Sequence, residues 1–134
     1  MQTILIIEDS NLTFLYLKKI LSIILPEALV VRKDNGLEGL NHQLDHSYDL
    51  IFCDHHLPGK NGLEIVTTSK AQKPQLKFIA ISSDDSDNQN MIKAGALLDF
   101  NKDKIFESYL DHLDEENSPL IVQLKKDIDL LLSN

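Results

Sequence analysis

At 134 residues, 43 % hydrophobic and 25 % charged, the chain suits one compact domain with a real core and needs no metal or disulfide staple. A formal net charge of −8 repels phosphate backbones and makes this segment a poor direct binder of nucleic acid. The one cysteine, Cys53, cannot form an internal disulfide; set in a hydrophobic run, it reads as a small buried hydrophobe and fits a cytoplasmic home.

Met1-Gln2-Thr3 leads into a short apolar run stopped by Glu8-Asp9, without the basic flank or long apolar core of a signal peptide. No apolar run approaches the length that spans a bilayer, so no membrane segment is expected. Thr3 to Ile7 reads as a strand buried on both faces. Ser10 is a fair N-cap for the helix that follows, in which Leu17, Ile20, Leu21 and Ile24 recur at helical spacing before Pro26. Ala28 to Val31 is a second strand and Asp34-Asn35-Gly36 a turn. Leu37, Leu40 and Leu44 mark a second helix, and Leu50 to Cys53 a third strand that ends in Asp54. After loop signals at Pro58-Gly59 and Asn61-Gly62, a third helix begins at Leu63 and runs to about Ala71. Leu76 to Ile81 is a fourth strand, Ser82 to Ser86 a polar loop, and Met91, Ile92 and Ala94 lie on a fourth helix closed by Gly95. Leu97 to Phe100 is a short fifth strand. Strand then helix, repeated, implies an α/β domain with a five-stranded parallel sheet covered on both faces.

In such a sheet the site lies at the carboxyl ends of the strands. Those ends deliver Glu8 and Asp9, Asp54, Ser82 and Lys102. Taken singly, an Asp or Ser after a strand is often a turn residue or a cap, and a lone Lys is usually solvated. Together they bring three carboxylates, a hydroxyl and an ammonium to one rim. Crowded carboxylates repel unless a cation sits among them. An all-oxygen set suits Mg²⁺, or Mn²⁺, better than Zn²⁺. A carboxylate beside such a metal can attack phosphorus, with the ammonium and hydroxyl holding the phosphoryl oxygens. His55 and His56 are adjacent, and on extended backbone their side chains would point opposite ways.

Four stretches in this order resemble the receiver domain of two-component response regulators: Ile4-Leu5-Ile6-Ile7-Glu8-Asp9-Ser10, the run Asp49 to Gly62, Phe78-Ile79-Ala80-Ile81-Ser82-Ser83, and the run Ala94 to Lys102. The resemblance covers residues from about 3 to 115 and implies a flavodoxin-like doubly wound sheet of order 2-1-3-4-5. It implies that Asp54 is the phosphoacceptor, that Glu8, Asp9, Asp54 and the backbone carbonyl of His56 hold Mg²⁺, and that Ser82, Ser83 and Lys102 receive the phosphoryl group. It places His56 and Asp84 where they tune hydrolysis of the acyl phosphate. It also implies a phosphorelay signalling protein rather than an enzyme with an external substrate. Its partners would be a histidine kinase or phosphotransfer protein and a downstream protein target or effector domain.

Two departures stand out. Asp99 occupies the position, three before the lysine, where the family carries an aromatic ring that moves inward on activation; Asp99 cannot follow without burying a charge. Asp103 replaces the proline after the lysine, so a trans bond is expected there. Asp99 keeps open the alternative of a pseudo-receiver that binds partners without phosphorylation. An aspartate-nucleophile phosphatase of the haloacid-dehalogenase type would need Asp-x-Asp, and Asp9-Ser10-Asn11 and Asp54-His55-His56 both lack the second Asp.

Beyond Lys102 the chain offers two helical faces. Ile105, Phe106, Tyr109, Leu110 and Leu113 form one; Ile121, Leu124, Ile128 and Leu131, after Ser118-Pro119, form the other. The division expected is a receiver domain over residues 1–115 and a C-terminal helix within 116–134. That helix is either appended, with a stripe free for a homodimer, or the final helix of the core.

Overall fold

The computed structural model describes residues 1–104, 106–107 and 118–133. Five strands, β1 (Thr3–Ile7), β2 (Leu29–Lys33), β3 (Leu50–Asp54), β4 (Phe78–Ser82) and β5 (Leu98–Asn101), alternate with four helices. These are α1 (Asn11–Ile24), α2 (Gly36–Asp45), α3 (Gly62–Gln72) and α4 (Asp85–Ala94), and a C-terminal helix spans Pro119–Leu132. The sheet is parallel throughout, in the order β2-β1-β3-β4-β5. This is the doubly wound, flavodoxin-like α/β arrangement. The chain steps from β1 to one side for β2 and returns to the other for β3, so the carboxyl ends of β1 and β3 flank the switch point.

Strand alternation divides the core in two. Ile4, Ile6, Leu50, Phe52, Ile79 and Ile81 face Leu17, Ile20, Leu21 and Ile24 of α1. Leu5, Ile7, Ile51, Cys53, Phe78 and Ala80 face Leu40 of α2, Ile65 and Val66 of α3 and Met91 of α4. Cys53 is the buried hydrophobe its setting suggests, and burial pushes its thiol well above the usual range. Each helix start is capped by its own sequence. Ser10 accepts from Thr13 N–H, Asn35 from Leu37 and Glu38, Asp84 from Ser86 and Asp87, and Asn61 forms a capping box with Glu64.

Several boundaries differ from those expected. β2 runs on to Lys33 because its backbone stays paired beside β1, Ile6 opposite Arg32 and Ile7 opposite Lys33. Ser82 belongs to β4 rather than to a loop, since it pairs with Asn101 of β5. α4 starts at Asp85, directly after its Asp84 cap.

The C-terminal helix buries Ile121, Leu124 and Ile128, each 2 % exposed or less, in the α1-side core, with Leu131 packed against them. That stripe is occupied inside the chain, which fits a helix that closes the core; a projecting helix would leave it open. A second copy would have to use another face. Of the first helical face, Ile105, Tyr109, Leu110 and Leu113 lie outside the described residues. Phe106 meets Tyr16 of α1 edge-on, ring centroids 5.2 Å apart. Truncating the fully buried Ile128 tests the packing: Ile128→Ala should cost about 2–5 kcal/mol in a urea melt, and a cost near zero would show that the helix is only appended.

Candidate functional site

At the carboxyl end of β1, Glu8 is fully buried and Asp9 exposed; at the end of β3, Asp54 is 1 % exposed. One carboxylate oxygen from each lies within 4.8 Å of the others. Lys102, just past β5, reaches into this group. Its Nζ lies 2.9 Å from both Glu8 Oε2 and Asp54 Oδ2 and donates to Glu8 Oε1 at 3.1 Å. Asp54 Oδ1 accepts the His55 N–H at 2.8 Å, and Glu8 Oε1 accepts the Ser10 N–H at 3.0 Å.

The charges do not balance. Three carboxylates and one ammonium leave two negative charges, two of the carboxylates being buried. Burial first, then the charge of Asp54, pushes the Glu8 carboxyl from 4.5 up to about 7, against the pull of Lys102. Burial likewise raises Asp54, opposed by Lys102 and the His55 N–H. Burial pulls Lys102 down, but the two carboxylates outweigh it and hold the ammonium charged.

Glu8 Oε2 and Asp54 Oδ2 are buried and share the single ammonium of Lys102. With Asp9 they form an all-oxygen donor set whose excess charge equals that of one divalent cation, so the residues fit Mg²⁺ or Mn²⁺. The loop after β3 carries a further candidate oxygen. His55 O accepts from Leu57 and Gly62, while among the described residues no backbone N–H is bonded to the carbonyl of His56. Gly62 lets this loop close: a Cβ there would fall 2.3 Å from the Asp54 carbonyl.

Ser82 is fully buried at the end of β4, its Oγ accepting the Asp84 N–H at 3.1 Å, and Ser83 beside it is exposed. The carboxylate of Asp84 is engaged as the α4 cap. Asp99 lies half-buried opposite Ala80, away from the face that takes Leu98 and Phe100. Among the described residues no peptide bond is cis. Asp103 donates its N–H to Asn101 Oδ1 at 2.9 Å, a bond proline could not make.

Sequence reasoning missed two supports. Arg32 donates from Nε to the Glu8 carbonyl at 3.1 Å and from Nη1 to Asn11 Oδ1 at 2.8 Å, with its guanidinium 4.8 Å over the Phe14 ring. It ties β2 to the loop that carries Glu8 and Asp9. Asn88, fully buried in α4, donates to the carbonyls of Ser82 at 3.0 Å and Phe100 at 3.3 Å, joining the ends of β4 and β5. Arg32 stands out only as a charge at the end of an apolar run, and Asn88, within a polar stretch, carries no signal.

The raised carboxyl of Glu8 has a sign in stability. Between pH 4.5 and about 7 the folded, metal-free chain holds more of this proton than the unfolded chain, so Glu8's contribution to stability falls as pH rises through that window. Glu8→Gln should flatten the slope and raise the metal-free melting midpoint at pH 8 by several degrees, at roughly 4 °C per kcal/mol. A lowered midpoint would mean that pairing with Lys102 outweighs the burial cost.

Residues 4–110 match the family described as response regulator receiver domain. A 39-residue stretch is 46 % identical to the transcriptional regulatory protein MalR of Bacillus subtilis, covering 29 % of this chain but only 17 % of that protein's length. A LuxR-family DNA-binding response regulator from Staphylococcus aureus superposes with a TM-score of 0.71 at 18 % identity, over 98 % of this chain and 99 % of that one. The response regulator TrrA from Thermotoga maritima, in complex with Mg²⁺-BeF, gives 0.65 at 24 % identity, over 82 % of this chain and 97 % of that one. These structural likenesses establish the fold. With the family match spanning most of its length, the chain belongs to the response regulator receiver domain family.

Proposed function

We propose that this receiver domain takes a phosphoryl group onto Asp54 from a histidine kinase or phosphotransfer protein and signals through protein contacts that depend on it. The observation that carries the reading is the buried Asp54 carboxylate, paired at 2.9 Å with Lys102 and grouped with Glu8 and Asp9. Glu8, Asp9, Asp54 and the His56 carbonyl would hold Mg²⁺, or Mn²⁺ in its place. When bound, that ion neutralises charge between the attacking carboxylate and the incoming phosphate. The Thermotoga neighbour, in complex with Mg²⁺-BeF, supports this use of the fold.

The residues divide the work. A carboxylate oxygen of Asp54 attacks phosphorus, the bond from phosphorus to the donor breaks, and an acyl phosphate remains. Lys102, held charged by its two carboxylate neighbours, stays beside Asp54 as negative charge moves onto the phosphoryl oxygens. The Ser82 hydroxyl donates to one of those oxygens, and exposed Ser83 leaves the group room. The 72 % exposed His56 ring and Asp84 flank the group and tune its hydrolysis. The chain thus catalyses only its own phosphorylation and dephosphorylation, in the cytoplasm where its donor works. The C-terminal helix serves as the closing helix of the core.

Asp99 favours a second reading, a phosphorylation-independent interaction module, because a carboxylate cannot follow the switch hydroxyl inward as a ring could. One assay separates them. With Mg²⁺ and a small phosphodonor, the parent should gain one phosphoryl group by mass, and Asp54→Asn should gain none. A parent that gains nothing would favour the module, and gain that persists in the variant would remove Asp54 from the role. Asp9→Ala should weaken Mg²⁺ binding by about tenfold or more through loss of a carboxylate ligand, read by metal titration; unchanged affinity would take Asp9 out of the metal set.

A further inference from the structure

The second cluster of ligating side chains lies just past β3. The strand ends at Asp54 and the backbone bends at His55 and His56. The alternation that would part adjacent side chains ends with it, and the two rings lie 4.9 Å apart, edge to face. Both turn Nε2 toward Asp87 in the first turn of α4. His56 Nε2 is 2.8 Å from Oδ2, and His55 Nε2 is 3.7 Å from Oδ1. One ligand atom from each of the three residues lies within 4.8 Å of the others.

A solvated His–Asp pair would account for His56, whose ring is 72 % exposed. It does not by itself account for His55, whose side chain is only 15 % exposed and whose Nε2 faces the same carboxylate. Asp87 Oδ2 is buried, with His56 Nε2 as its close ion-pair neighbour.

We propose that His55, His56 and Asp87 form a second cation site, beside but separate from the Glu8–Asp9–Asp54 pocket, and that it takes Zn²⁺ through two imidazole nitrogens and one carboxylate oxygen. Imidazole suits zinc and not magnesium, which keeps to oxygen. Zinc bonds of about 2.0–2.1 Å in a tetrahedron set neighbouring ligand atoms about 3.3 Å apart. The two His–Asp separations, 2.8 and 3.7 Å, bracket that spacing, and a bound zinc would draw the two imidazoles, whose ligand atoms lie within 4.8 Å of each other, to the same distance. Three protein ligands leave the fourth position to water, which enters past the exposed His56 ring. One feature limits affinity. His55 Nδ1 accepts the Leu63 N–H at 3.3 Å, and zinc at Nε2 moves the ring proton to Nδ1, so that weak bond is given up. The second shell is therefore not preset, and the site is weaker than a structural zinc site.

The site requires no phosphate on Asp54, so its test is independent of the proposed function. The full-length chain is titrated with Zn²⁺ by calorimetry in excess Mg²⁺, which keeps the acid pocket filled. Co²⁺ replaces zinc for absorption spectra, because tetrahedral nitrogen ligation gives strong visible bands and an octahedral oxygen set gives weak ones. The expected result is one Zn²⁺ per chain in the presence of Mg²⁺ and strong Co²⁺ bands. Both should weaken by more than about 100-fold in His56→Gln and Asp87→Asn, a loss that even an outer-shell change can approach. Asp9→Asn should leave both in place. The exposed His56 ring makes its variant safe for the fold. Zinc displaced by Mg²⁺, lost in Asp9→Asn, retained in His56→Gln or not bound at all would overturn the proposal.

Discussion

Lys102 reaches from the end of β5 to lie 2.9 Å from carboxylate oxygens on β1 and β3. Glu8 and Asp54 are buried, and burying like charges together is costly unless each finds a partner. One ammonium serves both, and the exposed carboxylate of Asp9 adds to the excess. The electrostatics leave the site two states of near balance. In one, Glu8 takes up a proton, as its carboxyl at about 7 implies. In the other, a divalent cation would replace that proton, and all three carboxylates would stay charged.

The rest of the fold keeps this arrangement in place. The sheet order sets β1 beside β3, so Glu8 and Asp54 emerge at the same rim. Arg32 ties the β1–α1 loop to β2 through the Glu8 carbonyl. Gly62 admits the Asp54 carbonyl, and Asn61 caps α3 directly before it. On the far side, Asn88 and Asn101 bind the loop after β4 to β5 through Ser82 O, Phe100 O and Ser83 O. These amide bonds join the β4 end to β5, the strand that carries Asp99. Any movement of the Ser82 backbone must therefore work against these side-chain hydrogen bonds.

The strand ends were legible because β1 and β3 are apolar runs stopped abruptly by acid. Parallel topology then assembles Glu8, Asp9, Asp54 and Lys102, and sets Ser82 at the end of the next strand, without any further information. What escaped was set by contacts distant in sequence or by local bends. Ser82 extends β4 only because Asn101 lies opposite it, and Arg32 extends β2 only because Ile6 does. A lone Asn at 88 carries no periodic signal for burial. His55 and His56 looked incompatible as neighbours because extended backbone was assumed one residue too far. The stripe of Ile121, Leu124 and Ile128 was plain in the sequence, but its partner surface on α1 lies about a hundred residues away, so local pattern could not separate a core helix from an appended one.

A divalent cation and a proton would compete for this one crowded carboxylate site. Calorimetric titration of Mg²⁺ in buffers of different ionisation enthalpy counts the protons released on binding. With Glu8 titrating at about 7 in the metal-free chain, about half a proton should leave per Mg²⁺ at pH 7, and almost none at pH 9. Binding that releases no proton at pH 7 and binds equally well at pH 6 and pH 8 would contradict the account.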